Sequence, residues 1–227
     1  MATNRDYQAG EIVSVSLPFV HVLKKEFKGK NCDYCFVECK SNEFGKCGNC
    51  KKMYYCGNDC QKKDWNQHKL ECKIYKENFD QLQSTGQSDL FFRFVLRLHL
   101  YLKRNPFFLY EQHKFLNDKN SSVCIFDIIN RMIPTINQDT VSGFLFMSQQ
   151  YSLLKIKWDP KRMMSCFHLC YEYGIDIFNY EMQSLGSGLY LAESQLKHSC
   201  SPNVTSLFNG AQLVMRTTRP IKSGEQI

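Results

Sequence analysis

The stretch CDYCFVECKSNEFGKCGNCKKMYYCGNDCQKKDWNQHKLEC, residues 32–72, decides how this chain is read. It holds eight metal-binding side chains in the order C-x2-C-x11-C-x2-C-x5-C-x3-C-x7-H-x3-C. In a reducing compartment, cysteine pairs at C-x2-C spacing point to metal rather than to disulfides. Eight ligands complete two closed tetrahedral sites, the mark of structural zinc, because no position stays open for water. Asn58 is placed to cap a helix that carries Cys60, His68 and Cys72, and the last two stand i,i+4 on one face. An interleaved pairing suits the pattern: Cys32, Cys35, Cys56 and Cys60 on one zinc, and Cys47, Cys50, His68 and Cys72 on the other. Tyr54, Tyr55, Trp65 and Leu70 are the expected core of so small a module, and Cys39 is surplus to the ligand count.

The composition around this stretch bounds the rest. A chain of 227 residues with 43% apolar side chains supports one good core with a small satellite. The most apolar run, residues 90–102, is interrupted by Arg93, Arg97 and His99 and is too short to cross a bilayer, so no membrane partner is expected. The N-terminus lacks the apolar core of a signal peptide, which places the protein inside the cell. Residues 24–76 carry thirteen Lys, no Arg and seven acids, an excess of six out of a net +7. That excess has two readings. It is an electrostatic footprint for nucleic acid or an acidic partner, or it offsets the anionic zinc–thiolate clusters. The lack of Arg for bidentate base reading argues against sequence-specific DNA recognition.

Residues 9–20 alternate apolar and polar as a strand does, yet no partner strand follows, because the zinc module intervenes. The finger is therefore read as an insertion whose flanking strand pairs far along the chain. Residues 90–173 form a helical block, with one helix from Ser88 or Asp89 to about Lys103, others over 123–132 and 140–156, and one opened by Pro160. Within it Cys166 and Cys170 are expected to be buried and structural, and His99, His113 and His168 to be packing or surface residues. After Gly174 the texture turns to strands in IDIFNYEMQ and GLYLAE, and Asn209-Gly210 marks a hairpin between VTSLF and AQLVMRT.

The 32–72 pattern resembles the MYND zinc finger, down to the YYC and the QKKDWxxHKxEC. The C-terminal HSCSPN (198–203), the NG hairpin and GEQI (224–227) resemble the second half of a SET domain. On residues alone, HSCSPN is a turn beside a simple His–Cys pair; its flanks give it meaning. A strand, then a MYND finger, a helical block and a SET half is the layout of the SET-and-MYND (SMYD) family of protein-lysine methyltransferases. The fold expected is α+β, a SET-type β-fold split by a two-zinc finger and followed by a helical block. Its parts are 1–23, 24–76, 77–174 and 175–227.

The resemblance further implies S-adenosylmethionine as methyl donor, with Ser194, Lys197, His198 and Asn203 in the cofactor and substrate region. It implies histone or other protein lysines as substrate, proline-rich peptides as partners of the finger, and residence in nucleus and cytoplasm. Three departures stand out. Lys197 occupies the position of the family's cofactor-contacting Asn, and a cation beside a sulfonium is unfavourable unless it turns away. The family's Gly-x-Gly would precede Met1. The Tyr that lines its lysine channel, and the cysteines that share a third zinc with the HSC cysteine, would follow Ile227. No catalytic residue is therefore assigned, and weak or absent catalysis is expected. A non-catalytic, zinc-dependent adaptor is the alternative.

Overall fold

A computed structural model describes residues 2–38, 44–83, 88–115 and 122–227. Cys39, the turn expected from Ser84-Thr85-Gly86 and most of the polar loop expected over 117–122 lie outside the described residues.

The alternating stretch at 9–20 divides into two strands. Pro18 has no N–H to give a ladder, and the chain changes sheets there. Strand β1 (Ile12–Ser16) pairs antiparallel with β10 (Gln212–Thr217), which pairs with β9 (Val204–Asn209). Strand β2 (Val20–Leu23) pairs with β8 (Ser184–Leu189), and β8 with β7 (Gly174–Phe178). Each of the first two strands thus finds its partner near the C-terminus, and the chain between β2 and β7 is an excursion from these sheets. The segment before β1 also joins the C-terminus: Thr3 N–H donates to Glu225 O, and Tyr7 and Ile221 exchange backbone bonds.

The excursion begins with the finger, which contains the short ladder β3 (Gly45–Lys46) with β4 (Tyr54–Tyr55). Helix α1 (Asn58–Gln83) then runs without a break from the zinc ligands into the helical block. Helix α2 (Ser88–Arg104) is buried on nearly every face and packs against α1, α5 and β2. A second short ladder follows, β5 (His113–Lys114) with β6 (Ser122–Val123). Helix α3 is Ile125–Arg131, so the expected start at 123 is taken by β6. Helix α4 (Gln138–Leu153) starts at a capping box in which Asn137 and Thr140 bond each other's N–H. Helix α5 (Pro160–Tyr173) has Pro at its first turn and Asp159 accepting from Arg162 N–H.

The strand expected over GLYLAE ends at Leu189; residues 190–192 turn, and Glu193–Gln195 form a single 3-10 turn. NYEMQ is a turn rather than a strand, closed by the Asn179 side chain accepting from Glu181 and Gln183 N–H. Cys166, Cys170, His99 and His168 are all buried in the helical block, with His99 Nδ1 3.0 Å from the Tyr151 hydroxyl. No helix among the described residues is long and apolar enough to cross a membrane.

Candidate metal centres and cofactor cleft

Two side-chain quartets stand out: Cys32, Cys35, Cys56 and Cys60, and Cys47, Cys50, His68 and Cys72. Within each, the ligand atoms lie within 4.8 Å of one another. Cys35 and Cys56 sulfurs are 3.7 Å apart, as are those of Cys47 and Cys72, and Cys50 Sγ is 3.4 Å from His68 Nε2. A tetrahedron with Zn–S bonds of about 2.3 Å has edges of about 3.8 Å, so both quartets have the size and softness that zinc requires. Hydrogen bonding from Cys35 draws the Cys32 thiol down to about 5, toward the thiolate a metal binds. The two sites interleave along the chain, and α1 serves both, giving Cys60 to one and His68 and Cys72 to the other.

The second quartet has a buried support. His68 Nδ1 lies 3.5 Å from the Glu71 carboxylate, leaving Nε2 for the metal. A carboxylate behind a ligating imidazole fixes its tautomer and strengthens it as a donor. Glu71 is held in turn by Arg97, which also binds Asp64 at 3.1 Å and the His21 carbonyl on β2 at 3.1 Å. Asp64 accepts the Tyr55 hydroxyl at 2.7 Å. Burial alone would raise the Glu71 carboxyl, but the Arg97 guanidinium and His68 hold it at about 2. One turn earlier, Arg93 binds Asp89 and donates twice to Leu23 O at the end of β2. The two arginines that interrupt the apolar run of α2 are thus buried bolts between α1, α2 and the sheet.

The expected core of the finger needs one correction. Tyr55 is buried, with Phe36, Met53, Tyr75 and Phe79 around the module, but Trp65 is 44% exposed. It sits on the outer face of α1 beside Asn58, Gln61 and Lys62, with which it lines a shallow apolar depression. On the inner side the NG hairpin docks onto the first quartet. Ala211 N–H donates to Cys35 O at 2.8 Å, and Tyr190 hydroxyl donates to Ala211 O at 2.6 Å. Gly210 has φ +59, and a Cβ there would lie 2.1 Å from the Cys35 oxygen. The glycine therefore serves both the turn and the close approach.

The HSCSPN stretch is open by comparison. Lys197, His198, Ser199 and Cys200 are exposed, with His198 Nε2 3.5 Å from Cys200 Sγ. Ser194 donates to Leu191 O, and Asn203 donates to Gln226 O at 2.7 Å and Glu225 at 3.2 Å. Asn203 is thus tied to GEQI, while the Lys197 side chain faces solvent. Immediately before Ser194, residues 191–193 form one wall of a cleft of about 450 Å³. Its other walls are Ser16, Pro18 and Phe19 between β1 and β2, Tyr101 and Phe108, and Glu111, His113 and Lys114. The Phe19 ring lies 5.5 Å from both Tyr101 and His113, and Tyr101 lies 5.0 Å from Phe108. Burial lowers the His113 pKa, which favours the neutral ring. Glu193 is 6% exposed and accepts a hydrogen bond from the Ser16 hydroxyl.

His113 and Glu193 were not legible as site residues in the sequence: the first stood alone, and the second differed from its neighbours only by adjoining Ser194. A second cleft, of about 420 Å³, lies between the finger and the β9–β10 hairpin and is lined in part by Tyr34, Cys35, Gln67 and Asn209.

A family model described as "MYND finger" matches residues 32–72. The whole length of the chain is also similar to curated lysine methyltransferases. It is 27% identical over 224 residues to N-lysine methyltransferase SMYD2 of Homo sapiens, covering 97% of this chain and 48% of that protein. It is 30% identical over 226 residues to Histone-lysine N-methyltransferase SMYD3 of Homo sapiens, covering 96% and 49% respectively. Over nearly its whole length the chain is thus similar to members of the SET-and-MYND family. That similarity identifies the two three-stranded sheets as a SET-type fold, and the MYND match identifies the two quartets as the finger's zinc sites. The chain spans about half the length of the curated relatives it matches.

Proposed function

We propose that this chain is the SET and MYND portion of an S-adenosylmethionine-dependent protein-lysine methyltransferase, with the 450 Å³ cleft as the place of the methyl donor. The observation that carries this reading is the cleft's make-up. Aromatic rings and a buried carboxylate line it, and its wall at 191–193 immediately precedes Ser194 in the chain. Its volume is in the range of small-molecule sites. When bound, the donor supplies an electrophilic methyl on a sulfonium centre.

The chain's own residues supply positioning. Phe19, Tyr101 and Phe108 offer faces that exclude water and favour a cation, His113 offers a neutral imidazole, and Asn203 holds GEQI against the turn at 201–203. No residue is assigned to the methyl-transfer step. Lys197 at the family's Asn position supports a donor site weaker than that of the relatives. Histone or other protein lysines are the substrate class, and nucleus and cytoplasm the proposed residence.

Calorimetry of the zinc-loaded chain with S-adenosylmethionine tests the reading. Saturable one-to-one binding lost in Tyr101→Ala and Phe108→Ala supports it, and no heat with any concentration of donor sinks it.

A second reading, a zinc-dependent adaptor, is favoured by the exposed Trp65 beside Lys62 on a helix held rigidly at both zincs. Its occupant is a proline-rich peptide. The lysines of the same module also support weak nucleic-acid binding, for which a salt titration with duplex DNA is the test. A steep fall in affinity supports that idea, and a flat response removes it.

A further inference from the structure

We propose that Glu193 is the residue by which the cleft recognises positive charge, so that the site favours a sulfonium ligand over the neutral thioether left after methyl transfer. This inference rests on the cofactor reading of the cleft and gives that site its charge preference.

The observation behind it is a contrast among buried carboxylates. Five lie buried among the described residues: Asp33, Asp64, Glu71, Asp89 and Glu193. Lys28 pairs with Asp33, Arg97 with Asp64 and Glu71, and Arg93 with Asp89. Glu193 has no Lys or Arg within ion-pair distance among the described residues, and the Ser16 hydroxyl is its hydrogen-bond partner. A carboxylate taken out of water normally keeps a cation beside it, because hydration of the charge is costly to lose. This one instead lines an open cleft walled by aromatic rings, whose faces attract cations themselves. Carboxylate and rings together describe a receptor for an organic cation. The lysines nearby do not fill the role: Lys114, on the cleft wall, and Lys197 are exposed.

The experiment compares, by calorimetry on the zinc-loaded chain, S-adenosylmethionine with S-adenosylhomocysteine, and follows trimethylsulfonium ion by saturation-transfer NMR. The wild-type chain is expected to prefer S-adenosylmethionine. Glu193→Gln is expected to lower that preference about tenfold, the scale of a charged hydrogen bond, while Glu193→Asp keeps most of it. Equal wild-type affinity for the two nucleosides overturns the inference whether or not any variant folds, as does an unchanged preference in a folded Glu193→Gln chain. If neither nucleoside binds but trimethylsulfonium does, in a manner dependent on Glu193, the cofactor reading falls and the charge role stands. If none of the three binds, both fall.

Discussion

The finger and the proposed cofactor cleft are built in opposite ways. The finger draws its eight ligands from 41 consecutive positions and anchors them with ions that are buried and paired. The cleft takes one wall each from the β1–β2 corner, from α2 and the segment after it, from β5 and from residues 191–193. Its buried carboxylate, Glu193, has no Lys or Arg within ion-pair distance among the described residues. A metal site demands a fixed donor count at fixed distances, so its spacing is written locally. A site for an organic ligand demands a shape, which distant segments assemble only after folding.

The sharpest way to break this comparison is to remove the metal. Structural zinc contributes on the order of 10 kcal/mol per site to a small module. Because α1 carries ligands to both sites and continues into the helical block, a chelator is expected to lower helix content beyond residue 72 as well. Elemental analysis should find two zincs before treatment, and circular dichroism should follow the loss; a helical block indifferent to chelation would mean that the finger is autonomous.

Next in size is Arg97→Met. It strands Asp64 and Glu71 without a cation, an expected cost of about 3–5 kcal/mol in urea denaturation. A loss under 1 kcal/mol would show that the bolts are ornamental.

Acid should act on the helical block and β2 through His21 and His99, both held at about 4 by burial, below their ordinary 6.5. The unfolded chain then binds more protons, so stability falls as pH drops from 6.5 toward 4. At pH 5.5 the two together are expected to cost about 3 kcal/mol relative to pH 7.5, at about 1.4 kcal/mol for each unit of pH per group. Urea melts at the two pH values, with zinc content checked at each, measure it.

Gly210→Ala forces a side chain against the Cys35 carbonyl at a left-handed backbone position, for a loss of about 2 kcal/mol. Faster zinc release from the first quartet should accompany it. The smallest effect on stability is expected from Trp65→Ala, within about 0.5 kcal/mol for an exposed position. The same change should abolish capture of a proline-rich peptide, and unaltered capture would end the adaptor reading.

These contrasts explain what the sequence disclosed. The two quartets follow from C-x2-C spacing and the i,i+4 relation of His68 to Cys72, and α5 from Pro160, because such signals act within a turn or two of the chain. The division of residues 9–20 at Pro18 depended on which sheets waited far along the chain. Arg93 and Arg97 looked like interruptions of an apolar face because their partners lie on α1, at the head of α2 and on β2. Trp65 is expected in the finger's core, but the helix turns it outward. His113 and Glu193 acquire meaning only when β5 and residues 191–193 meet across the cleft.

Helix α1 bears one further consequence. It is pinned by Cys60 at one zinc and by His68 and Cys72 at the other, and Gln67 donates to the carbonyl of Phe19 on the cleft wall. Trp65 therefore rides on a spar with no joint between it and the cleft. A protein gripped at Trp65 would be presented at one bearing, and the length of its own tether, rather than any swing of the finger, would select which of its side chains arrive at the far end.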